Sequence, residues 1–265
     1  MRLAGVVQRR MIPQRAPLIP GLDIAAAYVP CFDVGGDFYD FFKVSDSRIV
    51  IQIADVSGKG IPAAIMMSCF KGAVSAYADA AGSFRPAVEA YARAKGRAAV
   101  MSRIIEKLNT MACSECTNGE FITLFYAAID VEEHAMTYCN CGHEPAILIR
   151  AGQTEDLDKG GLVLGVSREA DYEIDTIRLE DGDCLLFYTD GLIDAANFEG
   201  QLWGRENLLE AAKKFTAGSA EQMVRNVLRY RRRFVGLARQ IDDTSIIVVK
   251  IDRTAEPEFM KRVSY

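Results

Sequence analysis

After Gly21 the chain alternates short apolar runs with glycine, proline and acidic punctuation. The segments LDIAAAYVP (22–30), DFYDFFKV (37–44) and RIVIQIADV (48–56) are β-branched or aromatic and bounded by turn residues, the pattern of strands. Pro62 stands where a first helical turn tolerates proline, and AAIMMSCFKGAVSAYADA then runs to Gly82 without a breaker, which predicts a helix. A second helix is predicted from Pro86 to about Met111, with Gly96 weakening its middle. The strand pattern returns in FITLFYAAIDV (121–131), AMTYCN (135–140) and AILIR (146–150), and DCLLFYTDG (183–191) is a buried strand running into an acidic turn. Helices over 205–214 and 219–235 precede a last strand, TSIIVVKI (244–251). Strands cluster before and after a helical pair, which predicts an α+β fold of layered sheets rather than a strict βαβ alternation.

Residues 1–20 read as a lead-in or linker end, because Pro13, Pro17 and Pro20 prevent a continuous helix beyond about Met11. The expected division is therefore a lead-in over 1–20, one domain over 21–252 and a C-terminal tail over 253–265.

Charge narrows the function classes. With 31 Lys+Arg against 36 Asp+Glu, the formal charge is -5, and no large footprint for nucleic acid or an acidic membrane is expected. No apolar run approaches the ~20 residues a membrane helix needs, and the N-terminus lacks the apolar core of a signal peptide. A cytoplasmic protein is expected, with its seven cysteines as free thiols.

The acids carry the candidate chemistry. Asp37 follows Gly35-Gly36, Asp55 closes IVIQIAD, Asp190 closes CLLFYTD, and Asp242-Asp243 open TSIIVV. Carboxylates converging at strand ends repel one another unless a cation compensates, so the pattern predicts a hard divalent metal site with oxygen ligands. Each acid taken singly also fits a turn, Asp190-Gly191 above all.

Seven ordered blocks then carry a resemblance: VGGDFYDFF, IADVSGKGIPAAIMM, Leu108-Asn109, FITLFYAAID, NCGHEPAIL, YTDGLIDAAN and DDTSIIVV. In this order they resemble the PPM (type 2C) metal-dependent serine/threonine protein phosphatases, in the bacterial branch of SpoIIE and RsbU, from about residue 8 to residue 251. The resemblance implies a four-layer α-β-β-α sandwich with two central antiparallel sheets and a centre of two Mn²⁺ or Mg²⁺ ions. Carried over by position, Asp37, Asp55, Asp190 and Asp242 are the implied ligands and catalytic residues, Asp55 bridging, with the Val56 carbonyl completing the turn. Asp243 matches a supporting position, whereas Asp33 and Asp40 read as structural. The implied reaction is in-line attack of activated water on phosphorus, and no CxxxxxR signature or Ser/His/Asp set competes with it. The implied substrate is a phosphorylated STAS-domain protein, an anti-sigma-factor antagonist, with an upstream sensor or dimerising element as a further partner. A catalytically silent phosphatase-like scaffold and a phosphatase of small phosphoesters are the alternatives.

Other motifs weigh less. GGDF resembles the diguanylate cyclase signature, but Phe38 replaces an acid; SGKG is no P-loop, which leaves Lys59 at the rim of the predicted centre or in an exposed turn. Cys113, Cys116, Cys139, Cys141 and His143 have the residue types for zinc, yet Cys139 and Cys141 lie in a strand pattern. The run RYRRRF (229–234) reads as a solvated helix face or a grip for an acidic partner.

Overall fold

The computed structural model describes residues 2–83, 90–92, 94–117 and 119–252; the expected tail over 253–265 and Pro86 lie outside them. In chain order the elements are α1 (Arg2–Met11), β1 (Leu22–Val29), β2 (Phe38–Lys43), β3 (Arg48–Val56), α2 (Ile61–Ser83) and α3 (Arg97–Glu115). There follow β4 (Ile122–Asp130), β5 (Ala135–Cys141), β6 (Ala146–Arg150), β7 (Gln153–Leu157), β8 (Gly160–Gly161), β9 (Asp175–Arg178) and β10 (Cys184–Tyr188). A 3₁₀ turn (Asp190–Leu192), α4 (Gly204–Phe215), α5 (Ala220–Val235) and β11 (Thr244–Ile251) complete the described residues.

Two sheets form. One has the order β1-β11-β10-β6-β7; the other runs β2-β3-β4-β5-β8, with β9 also paired to β5. Pairing is antiparallel except for the two-residue β5-β8 ladder.

Period-2 alternation explains the layering. Leu185 and Phe187 of β10 and Ile247 and Val249 of β11 join the core shared with the second sheet. Their neighbours Cys184, Leu186, Tyr188, Ile246 and Val248 turn the other way, onto Leu208 and Ala211 of α4 and Met223 and Val227 of α5. Between the sheets, Phe125 meets Phe187 edge-on at 5.4 Å and stacks on Tyr138 at 5.4 Å. Helices α2 and α3 cover the second sheet, contributing Met67, Phe70, Ile105 and Leu108 to its core. The result is the expected α-β-β-α sandwich.

Two expectations change in detail. The helix foreseen from Pro86 to Met111 does not run through Gly96: that residue takes φ +86°, a left-handed conformation that glycine adopts freely, and α3 begins after it. The helix then continues to Glu115, four residues beyond the predicted end. The lead-in, in turn, is packed against the sandwich, since α1 ends at Met11 ahead of Pro13 and both Ile12 and Ile19 are buried in the main core. Antiparallel register brings the end of β1, the start of β2, the ends of β3 and β10 and the start of β11 to one end of the sandwich.

Candidate metal centre

Loops at that end carry the sequence-predicted acids. Asp37 stands immediately before β2 and is buried, at 1% exposure. Its Oδ2 accepts from Thr189 Oγ1 at 2.7 Å and from Ser245 Oγ at 2.9 Å, both residues of the opposite sheet's strand ends. Thr189 and Ser245 hold each other as well, Ser245 N–H donating to Thr189 Oγ1 at 2.9 Å. A loop acid of one sheet is thereby fixed by hydroxyls from the other.

Asp55 closes β3. Burial, reinforced by the charge of Asp190, pushes its carboxyl up to about 7, and Asp37 rises well above the usual carboxylate range through burial and repulsion by Asp55. Asp190 is raised by burial and by the nearby charge of Asp242. Each acid thus feels the next, in the chain Asp37, Asp55, Asp190, Asp242.

Glycines set the spacing. A Cβ on Gly36 would lie 2.7 Å from the Val56 carbonyl oxygen and 3.2 Å from Asp55 Oδ1, so only glycine lets the 31–37 loop approach both oxygens. A Cβ on Gly191 would lie 1.8 Å from the Asp243 carbonyl oxygen, which explains the glycine after Asp190.

Asp243 organises this end from beneath. It is buried; its Oδ1 accepts from Cys31 N–H at 2.7 Å and its Oδ2 from Gly36 N–H at 2.9 Å. Asp242 faces outward: its Oδ2 pairs with Lys59 Nζ at 2.6 Å and its Oδ1 accepts from Asp243 N–H at 2.9 Å. Lys59 also donates to the Ile241 carbonyl at 2.7 Å. Asp33 is exposed, and Asp40 is spent on a buried ion pair with Lys71 of α2.

Besides Thr189 and Ser245, sequence reasoning missed two further supports. Gln8 of α1, buried, clasps Gly35 by donating from Nε2 to its carbonyl at 2.7 Å and accepting its N–H at 3.0 Å. Nothing in a proline-punctuated lead-in marks such a glutamine. Thr123 of β4 donates to the Asp55 carbonyl at 3.3 Å and is 2.8 Å from Nδ1 of the buried His143. The NCGH block is the sequence signal that points to His143.

Among the described residues, no three Asp, Glu, His or Cys side chains close on one point as metal ligands do. Asp37 is held by hydroxyls and Asp242 by Lys59. The donor chemistry nevertheless fits a hard divalent cation: four mutually repelling carboxylates, a backbone carbonyl at Val56, and a glycine that keeps the approach to that carbonyl open. Of the residues with zinc-ligand chemistry, Cys139 and Cys141 are buried in β5 and His143 is engaged by Thr123, so they form no zinc set among the described residues.

Comparison with known proteins shows the family and the fold. The family model described as Stage II sporulation protein E (SpoIIE) matches residues 45–252. The chain is similar to the phosphoserine phosphatase RsbU of Bacillus subtilis (strain 168), at 33% identity over 229 residues, covering 86% of this chain and 63% of RsbU. It spans less than two thirds of the length of the curated relatives it matches first, 63%, 34% and 45%. Its fold is that of the SiaA-PP2C domain of Pseudomonas aeruginosa, with a TM-score of 0.76 at 17% identity over 95% of both chains. The catalytic domain of the serine threonine protein phosphatase PstP, solved with 2 manganese ions, shares the fold at a TM-score of 0.58 and 15% identity, covering 87% of this chain and 98% of that one.

Proposed function

The chain belongs to the SpoIIE family, and from that premise we propose that it is a metal-dependent phosphoserine/phosphothreonine protein phosphatase. The observation that carries the proposal is the gathering of Asp37, Asp55, Asp190 and Asp242 at one end of the sandwich, each within electrostatic reach of the next. A silent scaffold has no use for acids whose mutual repulsion costs stability.

Asp37, Asp55, Asp190, Asp242 and the Val56 carbonyl would hold two divalent cations, Mn²⁺ or Mg²⁺. The two manganese ions of PstP on the same fold support that number. Such cations supply Lewis acidity toward water and phosphoryl oxygens when bound. The remaining work falls to the chain. Thr189 and Ser245 fix the direction of the Asp37 carboxylate, Asp243 locks the Gly36 amide, and Thr123 holds the carbonyl of Asp55. These residues orient the Asp37 carboxylate, the Gly36 amide and the Asp55 carbonyl ahead of any substrate.

The substrate is a phosphorylated STAS-domain protein in a partner-switching pathway, a reading supported by the likeness to RsbU. An upstream sensor or dimerising element is the second partner. Helix α1 leaves Leu3 and Val7 exposed while its other face clasps Gly35, so events at the N-terminus have a direct path to the Asp37 loop. No helix among the described residues is long and apolar enough to cross a membrane.

The test is Mn²⁺-dependent phosphate release from p-nitrophenyl phosphate and from a phosphorylated STAS protein. Turnover that is lost in both Asp55→Asn and Asp190→Asn is the expected result. Folded wild-type protein that is inactive with every metal and substrate tried overturns the proposal.

A further inference from the structure

The turn between β3 and α2 is built around one lysine. Gly58 and Gly60, on either side of Lys59, take φ +95° and +73°, and a Cβ at either would meet nothing within 4 Å. Conformation and not space demands glycine there: the backbone must twist left-handed twice to present Lys59. Ser57 fastens the base of the turn to the strand start opposite, donating its N–H to the Phe121 carbonyl at 3.0 Å and accepting Phe121 N–H at Oγ, 2.9 Å away. The lysine so presented is about half exposed, with its ammonium on Asp242 Oδ2 at 2.6 Å and on the Ile241 carbonyl at 2.7 Å.

Both carboxylate oxygens of Asp242 are engaged in this arrangement. Oδ1 accepts from Asp243 N–H and Oδ2 from Lys59, so a divalent cation drawn to Oδ2 meets the repulsion of the ammonium already there, which favours displacing it. The displaced charge sits on a short turn whose base is fastened and cannot go far. The anion that a phosphatase brings to the same place is a phosphoryl dianion, whose oxygens accept from an ammonium as a carboxylate does.

We propose that Lys59 is a substrate-binding residue that alternates between two partners: it pairs with Asp242 while that carboxylate is free of metal, and with the phosphoryl oxygens once a divalent cation has taken Asp242. The inference rests on the phosphatase reading above. It makes Lys59 a competitor of the metal and an ally of the substrate, so removing its charge moves the two affinities in opposite directions. A lysine that only braces the turn would weaken both or neither.

The experiment is calorimetric titration of Mn²⁺ into the wild-type chain, Lys59→Gln and Lys59→Arg without substrate, followed by titration of inorganic phosphate into the Mn²⁺-loaded proteins and by steady-state kinetics on a phosphopeptide. Lys59→Gln is expected to bind Mn²⁺ about three-fold more tightly, the scale of a lost exposed ion pair. It should bind phosphate about ten-fold more weakly and show KM raised by a similar factor, with kcat changed less. Lys59→Arg should recover most of the phosphate affinity. Unchanged or weakened Mn²⁺ binding in Lys59→Gln, or unchanged phosphate binding, overturns the proposal. Wild-type protein that binds Mn²⁺ and phosphate with these differences yet hydrolyses nothing overturns the phosphatase reading and leaves the alternation of Lys59 standing.

Discussion

Gln8 grips Gly35 by both atoms of its amide, one hydrogen bond in each direction, across 27 residues of sequence. The pair is buried and leaves Gly35 beside the turn that carries Asp37. Gln8→Leu keeps the volume and removes both bonds, stranding the Gly35 amide and carbonyl. It is expected to cost about 1–3 kcal/mol in urea unfolding and to lower Mn²⁺ affinity, whereas Arg10→Ala, on the exposed face of α1, should do neither.

Gly36→Ala is expected to impair the centre more than the fold. The new methyl would stand 2.7 Å from the Val56 carbonyl oxygen, pushing away a proposed donor, while the sheets carry the stability. Loss of about 1–3 kcal/mol, typical of overpacking, should accompany a fall in Mn²⁺ affinity of roughly ten-fold or more, as 1.4 kcal/mol is one decade. Calorimetry and thermal unfolding on the same sample check both.

His143 gives the fold an acid limit. Burial holds its imidazole down to about 4, against an ordinary value near 6.5. A depressed folded value means that the unfolded chain takes up the proton first. The stabilisation is therefore complete above about pH 6.5 and is lost as pH falls toward 4, amounting to about 3 kcal/mol if the whole shift is realised. Wild type minus His143→Gln, compared by urea unfolding from pH 7 to pH 4, should show that loss in wild type alone. Asp55 titrates in both proteins and cancels from the difference.

Lys71 and Asp40 tie α2 to β2 through a buried ion pair. Lys71→Met leaves Asp40 buried and unpaired and is expected to destabilise by about 3–5 kcal/mol. Adding Asp40→Leu should recover much of that loss if the penalty is the stranded charge. An equally unstable double variant would instead put the cost in packing.

The plainest strands in the sequence are those buried on both faces, although β1, half-buried along its whole length, is legible too. IVIQIA, LLFY and SIIVV have no polar alternation because each lies between another sheet and a helix layer. Strand β7, QTEDL, was illegible: it is an edge strand with only Leu157 buried, and β8 is two glycines. At the centre the acids could be named because carboxylates gathered at apolar strand ends need an explanation. Their supports could not, since Gln8, Thr123, Thr189 and Ser245 are ordinary polar residues whose meaning comes from partners distant in sequence.

The position of β11 has a consequence for synthesis. This strand, the last among the described residues, lies between β1 and β10, and among those residues β1 has no other partner in its sheet. Asp37 therefore leaves the ribosome long before Ser245, 208 residues later in the chain, can hold it. A nascent chain that stops short of β11 carries Asp37, Asp55 and Asp190 but lacks Asp243 and Ser245, which fix the loop and its carboxylate. The Asp37 carboxylate gains both of its hydroxyl partners, Thr189 and Ser245, only once the closing strand has joined its sheet.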